Sequence, residues 1–217
     1  MRNLQNLRTL SIHVLIGTLA ISALLLTTWR PNEAGGPDAG PIRTATLRAT
    51  DFLAAGLDFE TGFPGGIVQD REVKNRGQHI ELGNYNEESF TVGIQGGENG
   101  AILDLGHFSD LAAREGYPET VQGGQGFASI HFRDGELVIL DERDPKNTYQ
   151  PFVQGDDFVN APVSAGSDTA PARLGHVYLV RIVRSGEPEL ITKFLVVGGS
   201  RIGKEATIVW ENLQRDG

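Results

Sequence analysis

"HVYLVRIVRSGEPELITKFLVVGGSRIGKEATIVW", His176 to Trp210, decides how this chain is read. Its first nine residues suit an extended segment with two usable faces. Val177, Leu179, Arg181 and Val183 share one side, and Tyr178, Val180, Ile182 and Arg184 share the other. Ser185-Gly186-Glu187-Pro188 is turn sequence. A second β-branched run follows from Glu189 to Val197, and a third from Glu205 to Trp210. Three such runs joined by short polar segments predict an antiparallel meander.

The segment between the second and third runs resembles a phosphate-binding loop. Gly198 is followed by four residues and then Gly203-Lys204, one position short of the motif. That motif works only between a strand and a helix, whose N-terminal N–H groups cradle the phosphates. Here a β-patterned run follows instead. Glu205 also stands where a magnesium-ligating Ser or Thr is required. The segment therefore reads as a hairpin loop, and no nucleotide cofactor is expected.

Working backwards, "FASIHFR" (Phe127 to Arg133), Asp134-Gly135 and "ELVIL" (Glu136 to Leu140) predict a hairpin with a two-residue type I′ turn. Earlier strands are expected at Arg43 to Ala49, Gly56 to Glu60, Gln78 to Gly83, Ser89 to Ile94 and Ala101 to Gly106. Their spacing is that of a sandwich or barrel. One helix interrupts them at "SDLAAREG", with Ser109 as N-cap and Gly116 closing it. Asp141 to Arg173 is rich in Pro and Asp and reads mostly as loop.

At the other end, Leu10 to Trp29 is an apolar stretch of twenty residues with no Asp, Glu, Lys or Arg. As a helix it would be about 30 Å long, the thickness of a bilayer core. Arg2 and Arg8 precede it, and no A-x-A-like cleavage triplet follows it. A retained anchor with the N-terminus inside is expected. The division is then a cytoplasmic segment 1–9, a transmembrane helix 10–29 and a Pro/Gly linker 30–41. An extracytoplasmic β domain 42–213 and a tail 214–217 complete it.

The chain has 217 residues, no Cys and a formal net charge of -9. Three of its 19 basic residues lie in the first thirty positions, so 16 face 28 acidic ones in the rest, a net -12. Such a domain repels phosphate backbones, so nucleic acid is not an expected partner. Without Cys there is no disulfide, thiol chemistry or Cys-based zinc site.

No catalytic set is legible. Glu87-Glu88, Asp156-Asp157 and Asp141-Glu142 with Asp144 all lie in expected turns, and adjacency in sequence does not set two carboxylates across a cleft. Asp141, Asp144 and Asn147 do not follow the calcium-loop spacing. His79, His107, His131 and His176 form no H-E-x-x-H or similar pair, and a single strand His reads as a packed side chain. No G-x-S-x-G elbow is present. No metal ligand and no catalytic residue is assigned. Two Gly-rich segments, Val92 to Ile102 and Val121 to Ile130, permit tight turns or close approach of a partner. With the loop at 141–173 they give the candidate contact residues Gln95, Asn99, Gln122, Gln125, Tyr149 and Phe152.

"SFTVGIQGGENGAILDLG", "GYPETVQGGQGFASIHFRDGELVIL", "LGHVYLVRI", the Lys-bearing "TKFLVV" and the closing "TIVW" resemble a family of exported or membrane-anchored bacterial β-domain proteins without a known activity. The resemblance covers about residues 89–210. It implies an exported bacterial β domain and supplies no substrate or catalytic residue.

The expectation is a mainly β protein: one transmembrane helix and an antiparallel β-sandwich or barrel-like domain with one short helix. It is expected to be a non-enzymatic accessory or interaction subunit at the outer face of the bacterial cytoplasmic membrane, with a membrane protein as partner. Two alternatives are a carbohydrate- or cell-wall-binding module, with Tyr85, Tyr117, Tyr149 and Phe152 exposed, and a hydrolase using loop carboxylates.

Overall fold

The computed structural model describes residues 42–51, 54–65, 78–83, 88–93, 99–114, 130–140, 149–202 and 204–213. The transmembrane segment expected at 10–29, its expected flanks 1–9 and 30–41, and the tail 214–217 lie outside these residues. No helix among the described residues is long and apolar enough to cross a membrane.

The run that opened the reading lies at the middle of the fold. β11 (His176–Val183), β12 (Leu190–Ser200) and β13 (Glu205–Leu213) form the expected meander. β1 (Arg43–Arg48) flanks β13, and β6 (Asn99–His107) flanks β11, giving the antiparallel order β1-β13-β12-β11-β6. β11, β12 and β13 bury apolar side chains on both faces, and an apolar face must be covered by another layer.

On one side lies a second sheet. Its order is β10 (Thr169–Pro171), β5 (Ser89–Val92), β4 (Ile80–Leu82), β2 (Gly56–Leu57) and β3 (Pro64–Gly65). Leu47, Phe90, Tyr178, Phe194, Ile208 and Trp210 are buried between the two sheets. A backbone carbonyl ties the layers together: Phe59 O accepts from Trp210 Nε1 at 3.2 Å and from Asn212 Nδ2 at 3.0 Å.

On the other side pack β7 (Ile130–Arg133), β8 (Glu136–Leu140) and β9 (Tyr149–Pro151), with α1 (Phe108–Arg114) and α2 (Val153–Asn160). Leu105, Ile130, Leu137, Val177, Leu179 and Val209 are buried there. The molecule is thus mainly β and antiparallel. Where the pattern of short strands suggested a two-layer sandwich or a barrel, there are three layers with the meander in the centre.

The turn chemistry is as the residues predict. Asp134 and Gly135 both take positive φ, 52° and 83°, between β7 and β8. β12 and β13 are joined strand to strand, with Lys204 at φ 48°, which excludes the phosphate-loop reading. The segment 141–173 departs from expectation. Its described part holds β9, α2, a 3-10 turn at Val163–Ala165 and β10.

Candidate functional site

A β-bulge gathers polar side chains at a partly exposed position. In β6 and β11, Tyr178 lies opposite Asp104, Val177 opposite Gly106 and His176 opposite His107, so Leu105 is the extra residue. A regular strand would put Asp104 and His107, three apart, on opposite faces. The bulge turns both to the face of His176 and Tyr178. Gly106 absorbs the distortion at φ 94°, and its N–H donates to Asp104 Oδ1 at 2.8 Å.

His176 Nδ1 lies 2.8 Å from Asp104 Oδ1. A carboxylate only accepts, so Nδ1 carries the proton and Nε2 is left with its lone pair. His107 Nδ1 lies 2.8 Å from Ser109 Oγ, which in turn donates to Asp110 Oδ1 at 3.4 Å. Ser109 N–H also donates to His107 Nδ1 at 3.4 Å, so the serine holds that nitrogen through both its hydroxyl and its backbone. The two imidazoles stand edge to face with centroids 6.1 Å apart. His107 also packs on Phe108, 4.5 Å between centroids. Gly175 is required beside them. Its φ is +78°, and a Cβ there would overlap His107 Nε2.

The cluster is not a Ser-His-Asp triad. Such a site needs one imidazole between the acid and the nucleophile. Here the acid bonds His176 and the hydroxyl bonds His107.

A second cluster, Asp58, Glu60 and His79, brings its ligand-type atoms within 4.8 Å of one another. Its chemistry does not suit a metal. His79 Nδ1 accepts from Phe59 N at 2.9 Å, so its lone pair is used and the ring proton sits on Nε2. Asp58 Oδ1 accepts from the N–H groups of Glu60 at 2.8 Å and Thr61 at 3.1 Å. Glu60 Oε2 is paired with Arg184 at 2.9 Å. The buried His79 Nε2 has no hydrogen-bond partner and lies 3.9 Å from Glu60 Oε2. Burial lowers its pKa to about 4, against the opposing pull of Asp58.

A third set lies inside the layer under β7. Lys193 and Glu211 are cross-strand neighbours, both buried, with Nζ 3.0 Å from Oε2. Lys193 Nζ also donates to Ile130 O at 2.6 Å, tying β7 to the central sheet. Nearby, His131 is pushed down to about 4, first by burial and then by the Lys193 charge.

The contact residues expected from sequence are not gathered in one place. Gln95, Gln122 and Gln125 lie outside the described residues, as do Tyr85 and Tyr117. Asn99 is exposed but opens strand β6 rather than lying in a loop. Tyr149 opens β9, half-buried, with the Arg133 guanidinium 4.4 Å from its ring centroid and His131 edge-on at 6.0 Å. Phe152 is fully buried in the second core, so it is a packing residue and not an exposed aromatic. Sequence reasoning missed the Asp104–His176 pair because its members are 72 residues apart and meet only through strand pairing. "DLGH", Asp104 to His107, with a bulge-forming Gly, was the one local signal.

No family model matches the chain, and no curated protein matches it, so no activity is transferred from a relative. Among solved structures, the chain is similar to an apo HmuY analog (TFO) from Tannerella forsythia at 12% identity and a TM-score of 0.36. The match covers 82% of this chain and 100% of that one. A likeness this distant assigns neither ligand nor function.

Proposed function

We propose that the chain is a non-enzymatic, membrane-anchored interaction subunit whose β domain meets a membrane protein at the outer face of the bacterial cytoplasmic membrane. The observation that supports this reading is the distal end of the β12–β13 hairpin. Leu190 to Val196 of β12 is buried or nearly so, whereas Val197, Gly199, Ser200, Arg201 and Ile202 are exposed. The strands stay paired there, Gly199 with Ala206 and Ser200 with Glu205. The paired strands of the hairpin therefore extend out of their own core. Ile202, next to Arg201, is 99% exposed. An apolar side chain exposed to water gains free energy when a partner covers it.

The anchor expected at 10–29 from sequence would hold the β domain at the membrane surface, where other membrane proteins are within reach. The glycan-binding alternative keeps only Tyr149 of its described aromatics, because Phe152 is core. The hydrolase alternative would draw on Asp156, whose Oδ1 instead accepts the Leu137 N–H at 2.7 Å.

The test is in-cell photocrosslinking of the full-length chain with the crosslinker at Ile202. Asp134, on an exposed turn at the other sheet, serves as control. One stoichiometric protein adduct from position 202 and none from 134 is the expected result. Equal labelling from both sites would overturn the reading. Adducts with wall polymer alone would transfer it to the glycan-binding module.

A further inference from the structure

We propose that the bulge between β6 and β11 is a binding site for a first-row divalent transition-metal ion, with His107 Nε2 and His176 Nε2 as its protein ligands. The inference is independent of the hairpin's partner.

Three observations carry it. First, the bulge brings the two imidazoles to opposite positions on neighbouring strands and turns Asp104 to the same face. Side chains so placed are near enough to share one ligand. Second, each ring is held at Nδ1 by a 2.8 Å hydrogen bond, from His176 to Asp104 Oδ1 and between His107 and Ser109 Oγ. For His176 this is the outer-shell arrangement that orients metal-binding histidines: the other ring nitrogen donates to a carboxylate, and the lone pair faces the ion. Among the described residues no protein group is hydrogen-bonded to either Nε2. Third, the site reaches solvent: the His176 and Asp104 side chains are 18% and 21% exposed.

The donors set the class of ion. Two neutral imidazoles suit Zn²⁺, Cu²⁺ or Ni²⁺ and do not suit Ca²⁺ or Mg²⁺, which take oxygen. With two protein ligands, water fills the remaining positions. Arg173 stands at the rim, its Nη1 4.0 Å from Asp104 Oδ2, and it limits how far that carboxylate can turn towards the ion.

The test is titration of the full-length chain with ZnCl₂ by calorimetry, repeated with CoCl₂ to read the visible absorption of nitrogen-ligated cobalt. One equivalent is expected to bind, with no response to CaCl₂. His107→Gln or His176→Gln should weaken binding at least about tenfold and abolish the cobalt band. Asp104→Asn should weaken it by about 10- to 100-fold, the usual effect of removing an outer-shell partner. Metal-free melting is recorded for each variant, and Ser109→Ala carries the test if a His variant does not fold. No binding below millimolar metal overturns the proposal. Stoichiometric binding that survives both His substitutions also overturns it, because the ion then sits elsewhere.

Discussion

Lys193 shows how much one side chain can hold. Its ammonium is fully buried, yet it sits between Glu211 Oε2 and Ile130 O, so its charge is met by a carboxylate and a carbonyl. Removing one member of a buried pair strands the other, at about 3–5 kcal/mol. Lys193→Met is therefore expected to lower the free energy of unfolding by that order, and adding Glu211→Leu should restore most of it. Equilibrium denaturation of the two single variants and the double variant measures the coupling. Near-additive losses would show that the pair is not the source. In the sequence, Lys193 is a single charge inside the apolar run "ITKFLVV". Only the layer formed by β7 to β9 makes it an interior residue.

Among the elements, α2 was the hardest to see. "VQGDDFVN" has a glycine, two acids and no Ser or Thr before it, and its N-cap position is Phe152 with no side-chain cap bond. Propensity alone gives no helix there. Each of these residues has a tertiary reason. A Cβ on Gly155 would lie 2.5 Å from Phe152 Cδ1 and 2.9 Å from Leu137 Cδ1, so the helix approaches β8 more closely than any side chain allows. Asp156 Oδ1 accepts the Leu137 N–H that β8 leaves over. Gly155→Ala, which raises intrinsic helix propensity, is nonetheless expected to destabilise by about 1–3 kcal/mol through overpacking. Thermal melting checks it, and a raised Tm would mean that the contact gives way. The β6–β11 bulge is equally invisible in sequence. Its extra residue is defined only by the partner strand.

At the scale of the whole molecule, two buried histidines are neutral when folded. His79 and His131 have their pKa lowered from 6.5 to about 4 by burial. In the unfolded chain they titrate near 6.5. Between pH 6.5 and 4 the unfolded state binds more protons, so stability that is fully present above 6.5 falls as pH drops through this window. The full loss is about 3 kcal/mol per group, at 1.36 kcal/mol per pK unit. That is a large part of the 5–15 kcal/mol typical of a domain. Urea unfolding measured from pH 7 to 4 should show the decline. His131→Phe should remove about half of it, and an unchanged slope in that variant would assign the decline to other groups.

Local chemistry was legible wherever it is set by a few neighbouring residues. The period-two patterns gave β1, β8, β11, β12 and β13 to within a few residues, "SDLAAR" gave α1, and Asp134-Gly135 gave a turn with both φ positive. The β-rich class and the rejection of a phosphate loop also follow from the sequence, because strand period and turn conformation are properties of short segments. Tertiary structure alone decided that the meander is covered on both faces, that Phe152 and Lys193 are interior, that α2 exists, and that Asp104, His107 and His176 meet. Those outcomes depend on which distant segments pack together, and a chain's local pattern does not encode its neighbours in space.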